Sequence, residues 1–394
     1  MSASAAAVAS GKKTVRGQEI DPFPNRPQWA NVLRKISSEP LEFCPDFPGR
    51  ARRHEAWWNH SVLDRPLFLG AINPNPGRRI TQRLDLVCKP DEWFAAKFQD
   101  MRQIYWAGDT VPCIRVDFGP AILGAFLGGQ LEFSADTAWT HSMIDDDWSN
   151  QPNWELQEDN PWWKRSNALL ERVAADAPGR YVVCAPDLGG ASDMLLNLRG
   201  ATQLCMDIVE CPDVVRAAMT AQYPAWRRAI SHIFDVATSR GAGVIHWLGA
   251  WSNEPYCIPT CDLNYMLGPR EFARVCVPDI ARIAATMGRA VFHLDGPGAA
   301  PHIDALLEIP ELQAIQFTPG VQAPQGLPWV ELYRKVLKKG KSMLAVCMPE
   351  EVIKLAEELP WEGLCILLDA TAPLTTKYVD DIVAGLDRLA RVKR

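Results

Sequence analysis

Ala290-Val-Phe-His-Leu-Asp-Gly-Pro-Gly298 is a run of β-forming residues that ends on an imidazole and a carboxylate and then stops at a Gly-Pro-Gly turn. Val291 to Leu294 suits a buried strand, and the glycines with Pro297 break it before a helical pattern opens at Ala300. A short strand that ends on polar residues and feeds a helix is one βα unit. The fold depends on how often that unit recurs.

Outward from this segment, the same pattern appears at Pro66 to Ala71, Cys113 to Asp117, Tyr181 to Ala185, Gly243 to Leu248, Ala314 to Phe317, Ser342 to Cys347 and Leu364 to Asp369. With Ala290 to Leu294 there are eight runs. Amphipathic stretches separate them, among them Pro212 to Ser239, Pro269 to Met287 and a closing one at Thr375 to Val392, whose Lys and Arg sit where a helix dipole favours cations. Eightfold strand-helix succession predicts an α/β fold, a (β/α)8 TIM barrel over 56–394 with an N-terminal extension over 1–55. Residues 1–60 and the connection Gly119 to Trp163 read as additions that can cap one end, and Met1 to Gly11 as a disordered tail. A doubly wound open sheet uses the same alphabet, but Asp187-Leu-Gly-Gly-Ala191 lacks the GxGxxG spacing that such a sheet uses for phosphates.

Composition narrows the function classes. The 394 residues carry a net charge of −6 and no basic stripe, which argues against nucleic acid as a partner. No apolar stretch reaches the roughly 20 residues of a membrane span, so a membrane protein is not expected. Eleven cysteines, odd in number and scattered through strands and helices, fit reduced thiols in a cytoplasmic protein. The 15 tryptophans, with doublets at Trp57-Trp58 and Trp162-Trp163, are read chiefly as helix-on-strand packing.

In a βα barrel the chemistry sits at the C-terminal ends of the strands. Applied to the eight runs, that rule selects Asn73 and Asn75, Asp117, Asp187, then His246, Trp251 and Asp262 after the fourth run, His293 and Asp295, Cys347 and Asp369. His293 and Asp295 alternate on one strand and so face the same side. An imidazole beside a carboxylate serves as a metal site or as an acid/base pair. Asp369 follows a wholly apolar strand and has to be solvated, paired or coordinated. Asn73, Asp187, His246, Trp251 and Asp262 are the substrate-binding candidates, and Asp117, His293, Asp295 and Asp369 the catalytic ones. Cys347 reads as a buried strand cysteine, and Cys257 with Cys261 lacks the further soft ligands that zinc needs.

Pro186-Asp-Leu-Gly-Gly190, Leu198-Arg-Gly200, Cys261-Asp-Leu-Asn-Tyr-Met-Leu-Gly-Pro-Arg-Glu-Phe272, His293-Leu-Asp-Gly296 and Asp369-Ala-Thr-Ala-Pro373 together resemble the uroporphyrinogen decarboxylase-like superfamily in order and spacing, over roughly residues 55 to 392. That superfamily includes methyltransferases that move methyl groups between corrinoid proteins and thiols. The resemblance implies a zinc site made of a His-x-Cys pair after strand five and a Cys after strand eight. Here His293 matches the histidine, while Asp295 and Asp369 fall on the two cysteines. Hard ligands in place of thiolates admit manganese or iron as well as zinc. The decarboxylase branch uses arginines near its first strand, and Arg78, Arg79 and Arg115 are too few to neutralise a porphyrinogen's carboxylates.

The resulting expectation is a methyltransferase-type enzyme. It would take a methyl group from a small methylated compound or from a methylcorrinoid on a partner protein, with His293, Asp295 and Asp369 holding a divalent metal. A metal-free decarboxylase or lyase using Asp117 or Asp295 is the second reading. A non-catalytic barrel that binds a small molecule is the third. Self-association through surface helices is compatible with all three.

Overall fold

The computed structural model describes residues 13–16, 18–74, 84–134, 137–145, 147–320, 323–369 and 374–393. Met1 to Gly11, Asn75, Arg78, Arg79 and the Ala-Thr-Ala-Pro after Asp369 lie outside the described residues. All eight sequence runs contain strands: β1 (Leu67–Ile72), β2 (Cys113–Arg115), β3 (Val182–Cys184), β4 (Val244–Ile245), β5 (Val291–Asp295), β6 (Ala314–Thr318), β7 (Ser342–Cys347) and β8 (Leu364–Leu368). β5, β6, β7, β8 and β1 pair in parallel in that order, and β2, β3 and β4 do so in a second sheet. The fold is mixed α/β with parallel strands in sequential order. A continuous hydrogen-bonded ring of eight strands is not formed among the described residues, because two seams interrupt it.

The first seam lies between β1 and β2. A short strand, Tyr105–Gly108, pairs antiparallel with β1 and occupies its outer edge. The next two residues continue the job with side chains. The Phe68 amide donates to the Asp109 carboxylate at 3.0 Å, and the Gly70 amide to the Thr110 hydroxyl at 2.7 Å. With its amides taken, β1 has none left for β2. Asp109 is fully buried and also faces two guanidiniums, Arg65 at 2.6 Å and Arg53 at 3.2 Å.

The second seam follows β4, which is only two residues long where the sequence pattern ran to Leu248. Here the chain turns back on itself. The Tyr256 hydroxyl accepts from the His246 amide and donates to the Ala250 carbonyl, so backbone groups that a ladder would satisfy are satisfied within the turn. Trp251 donates its amide to His54 and accepts from the Trp58 indole, which places this loop beside the helix Phe47–Trp58. Residues 257–260 then run alongside β5 in parallel, joined by the bridges Cys257 to Ala290 and Thr260 to His293.

The helix Phe47–Trp58 closes the N-terminal ends of the strands. Trp57 donates its indole N–H to the Met343 carbonyl at the start of β7. Both members of this Trp doublet are buried, in one cluster with Leu67 and Leu69 of β1, Val291 of β5, Ala314 of β6, Leu344 of β7 and Cys365 of β8. That cluster also takes in Leu248, Ala250, Tyr256 and Ile258, and so it ties the segment that follows β4 to the larger sheet. Packing accounts for these tryptophans, which end the helix rather than precede one.

Two helices that read as single are broken. Pro212–Ala221 is followed by Tyr223–Ser239, and Pro269–Val275 by Val277–Met287. In each pair the second helix carries a proline, Pro224 or Pro278, in its first turn, where the missing N–H costs nothing but a continuous helix would lose a hydrogen bond. No helix among the described residues is long and apolar enough to cross a membrane.

The Asp109 contacts generate a test. Asp109→Ala strips the buried Arg65 of its closest counter-ion and frees the Phe68 amide, so a loss of about 3 kcal/mol is expected in urea unfolding. Asp381→Ala, which removes the exposed pair with Lys377, is expected to cost less than about 0.5 kcal/mol. Equal losses in the two variants would contradict the role given to Asp109.

Candidate metal centre

Asp262, His293 and Asp295 bring one ligand atom each to within 4.8 Å of one another. His293 and Asp295 come from the end of β5, two residues apart on one face, and Asp262 from the short 3-10 helix Asp262–Met266 that follows the 257–260 segment. One imidazole nitrogen and two carboxylate oxygens are a donor set for zinc, manganese or iron. Closing the three atoms onto an ion with bonds of about 2.1 Å takes side-chain adjustments of roughly an ångström.

The imidazole is oriented from behind. Gln316, beside His293 on β6, donates its amide nitrogen to the Thr318 hydroxyl at 2.6 Å, which turns its oxygen toward His293 Nδ1. Nδ1 therefore carries the proton and Nε2 keeps its lone pair, the arrangement that metal-binding histidines use. Trp247 packs edge-on against the ring, with centroids 4.9 Å apart.

Asp262 is held by its backbone. Its amide donates to Asp193 at 2.7 Å, and the Thr260 hydroxyl donates to the other oxygen of the same buried carboxylate. Asp193 comes from the helix Ala191–Arg199, entered through Gly189 and Gly190. A Cβ on Gly190 would lie 2.4 Å from the Thr260 carbonyl oxygen, so only glycine lets this turn press against the 257–260 segment. The Gly-Pro-Gly after Asp295 has a matching reason. The Tyr265 ring lies over it, and a Cβ at Gly296 or Gly298 would meet the ring at 2.8 or 2.9 Å. Asp262, Tyr265, Asp295, Gly296, Pro297 and Pro319 line a cavity of about 410 Å3.

Carboxylates crowd this end of the strands. Desolvation in the cleft raises the pKa of Asp262; His293 lowers it, and Asp295 and Asp187 raise it again. Burial likewise raises Asp187, against the pull of the Arg115 guanidinium, the Gly189 amide and His293. Burial and the neighbouring Asp262 push Asp193 well up. Like charges held this close favour either shared protons or a bound cation.

The remaining sequence candidates fall in several places. Asp117 accepts from the Gly119 amide at 2.9 Å and pairs with Arg115 at 3.3 Å, and Asp187 accepts from Gly189 at 3.0 Å. Asn73 is half-buried at the end of β1. Asp369, expected as the third ligand, is not part of the group. Its amide still bonds to Cys347 at the end of β7, and its carboxylate accepts from Gln325 at 2.6 Å.

His246 is buried with Nε2 against the Tyr256 carbonyl at 2.8 Å, and burial pushes its pKa down to about 4. It is a core imidazole and makes no wall of the cavity. Trp251 is fully buried against Phe47 on the N-terminal side, because the segment after β4 turns back. That turn removes it from the substrate-binding candidates. Cys257, Cys261 and Cys347 are all buried thiols. Asp193, Gln316, Trp247 and Tyr265 were missed by the strand-end rule, which names groups on a strand's own tip and not those that brace it. Asp193 nonetheless sat in a visible signal, an acid three residues into a helix that starts at Gly-Gly.

No protein-family profile matches the chain, and no curated protein matches it. Among solved structures, 14 chains match. One is a methyltransferase from Methanosarcina mazei, 11% identical, with a TM-score of 0.57 over 86% of this chain and 98% of that one. The likeness is one of fold. It spans nearly the whole of the archaeal chain, so the shared architecture is not confined to a fragment.

Two outcomes follow from these contacts. Gly190→Ala has to displace the Thr260 backbone and is expected to cost about 1–3 kcal/mol, measured by thermal unfolding. A fully stable variant would contradict the close approach. His246 loses protons on folding, so the stability that it contributes is complete above its unfolded value of 6.5 and declines as the pH falls from there toward 4. The stability difference between the native protein and His246→Gln should therefore shrink over that window, by up to about 3 kcal/mol. A difference that stays constant from pH 7 to pH 4 would contradict a neutral, buried His246.

Proposed function

We propose that the chain is a metal-assisted methyltransferase of the uroporphyrinogen decarboxylase-like kind, with its two sheets forming one (β/α)8 barrel and Asp262, His293 and Asp295 holding a divalent ion. The observation that carries this reading is the three-ligand group at the end of β5, with an imidazole oriented by Gln316. The methyltransferase fold of the archaeal neighbour supports the reaction class. The donor class is a small methylated compound or a methylcorrinoid on a partner protein.

When bound, the ion supplies Lewis acidity that lowers the pKa of an acceptor thiol or water. Asp262, His293 and Asp295 bind it, and Gln316 keeps Nε2 aimed at it. Asp193 and Gly190 set the height of Asp262. Tyr265, lying over Gly296 and Gly298, walls the cavity and limits water beside the reacting groups. Methyl transfer to a heteroatom needs that atom deprotonated, and Asp187, close enough to His293 to feel its charge, is the carboxylate to which we assign the proton. Burial raises its pKa above the ordinary carboxylate value, which strengthens it as a proton acceptor.

Metal content decides the matter. Purified protein is expected to bind one zinc, manganese or iron(II) ion per chain with saturable affinity, and His293→Ala to abolish it. Gln316→Ala should weaken binding about 10- to 100-fold, and Asp369→Asn should leave it unchanged. A protein that binds no such ion, or whose binding survives His293→Ala, would sink the metal mechanism. Turnover that is insensitive to chelator but lost in Asp295→Asn would instead favour the metal-free lyase.

A further inference from the structure

On the outer surface a groove of about 670 Å3 is lined by Arg16, Asp213, Arg216, Thr220 and Arg274, with Ala217, Ala221 and Pro278 as its apolar floor. It belongs to none of the elements that carry the candidate metal ligands. The three arginines come from separate parts of the chain. Arg16 follows the strand Lys13–Val15, which pairs antiparallel with Gln18–Ile20 as an N-terminal hairpin, Arg216 stands on the helix Pro212–Ala221, and Arg274 on the helix Pro269–Val275. On Pro212–Ala221 the groove residues are 213, 216, 217, 220 and 221, one helical face, and the alanines there leave the space open.

Three guanidiniums face one carboxylate, in a protein whose overall charge is −6. Their partners leave donors over. Arg16 gives one N–H to the Glu308 carbonyl at 3.0 Å, and Arg216 gives one to Asp213. Arg274 has no hydrogen-bond or ion-pair partner among the described residues. A guanidinium carries five N–H donors in a planar fork that matches a tetrahedral oxyanion. Like charges drawn from three segments into one concavity repel each other unless an anion sits between them.

We propose that this groove binds a phosphate group, with the dianion held between Arg216 and Arg274 and Arg16 closing over it from the hairpin. A volume of this size falls within the roughly 300–1,000 Å3 of small-molecule pockets and far exceeds one phosphate, so a phosphate monoester fits it better than the free ion. The esterified remainder would lie on Ala217, Ala221 and Pro278. Asp213, whose charge is partly taken up by Arg216, sits where a hydroxyl of the ligand can donate to it.

Calorimetric titration of the full-length protein, at fixed ionic strength, with inorganic phosphate and with glycerol 3-phosphate tests this. Both are expected to bind saturably in the millimolar range or tighter, the ester more tightly. Binding of equal strength would assign the groove to the free ion and keep the phosphate site. Arg274→Ala should weaken binding about tenfold or more, and Arg274→Lys, which keeps the charge but not the fork, should recover part of that loss. Arg391→Ala, at the end of the last helix, is the control and should change nothing. These arginines are exposed or half-exposed, so the variants are expected to fold, and unchanged thermal unfolding in the absence of phosphate checks that they do. No saturable binding of either probe, or binding indifferent to both Arg274→Ala and Arg216→Ala, would overturn the proposal. Metal binding at His293 is expected to be unchanged in these variants, so the outcome is separable from that of the metal test.

Discussion

A buried carboxylate without a partner is unsustainable, and Asp109 is answered from three directions at once: by Arg65, by Arg53 and by the Phe68 amide. Its backbone continues the same connection, donating to the Phe68 carbonyl at 2.7 Å and accepting from His54 Nε2 at 2.9 Å. Because His54 Nδ1 in turn accepts from the Trp251 amide, the proton on that imidazole must sit on Nε2. One ionised group thus fastens the edge of β1, the helix Phe47–Trp58 and the returning loop after β4. The arrangement substitutes for the strand pairing that is missing between β1 and β2. It concentrates at one end of the strands the polar satisfaction that a closed ladder would spread evenly.

The opposite end is built on other terms. There, Asp187 at the end of β3 and Asp262 after β4 are drawn in beside Asp295 of β5, and burial, with neighbouring carboxylates adding to it, raises the pKa of Asp187 and of Asp262. Repulsion of this kind subtracts from stability and is retained where a ligand or proton relieves it. The N-terminal side carries the anchoring and the C-terminal side carries the proposed metal site, the division that βα architectures allow.

Much of this was legible beforehand, for identifiable reasons. The strands announced themselves because each apolar run stopped at a polar or glycine-rich turn, and His293 with Asp295 was visible through alternation alone. The seams were not, since Tyr105-Trp106-Ala107-Gly108 looks like any short β-prone run and its antiparallel pairing with β1 depends on a partner distant in sequence. Asp262 and Asp369 exchanged importance for a related reason. The stretch Cys257-Ile-Pro-Thr260 is brief and contains a proline, which demotes it as a strand, yet Pro259 needs only its carbonyl to receive the His293 amide at 3.2 Å. Once that stretch lies beside β5, Asp262 is at a strand tip next to His293, and Asp369 remains tied to β7 and Gln325. The helix breaks were signalled by Pro224 and Pro278, whose effect is local.

The reversal after β4 separates two jobs that a simple strand-to-loop connection would merge. Residues 246–256 contribute to the base of the molecule, while 257–262 deliver a carboxylate to its top, and the register of the delivery is fixed at Gly190 and Asp193 rather than by the length of the reversal. Insertions or deletions within the returning loop would therefore be felt as changes in foundation strength and not in ligand spacing. The site is insulated from the part of its own connection that wanders farthest from it.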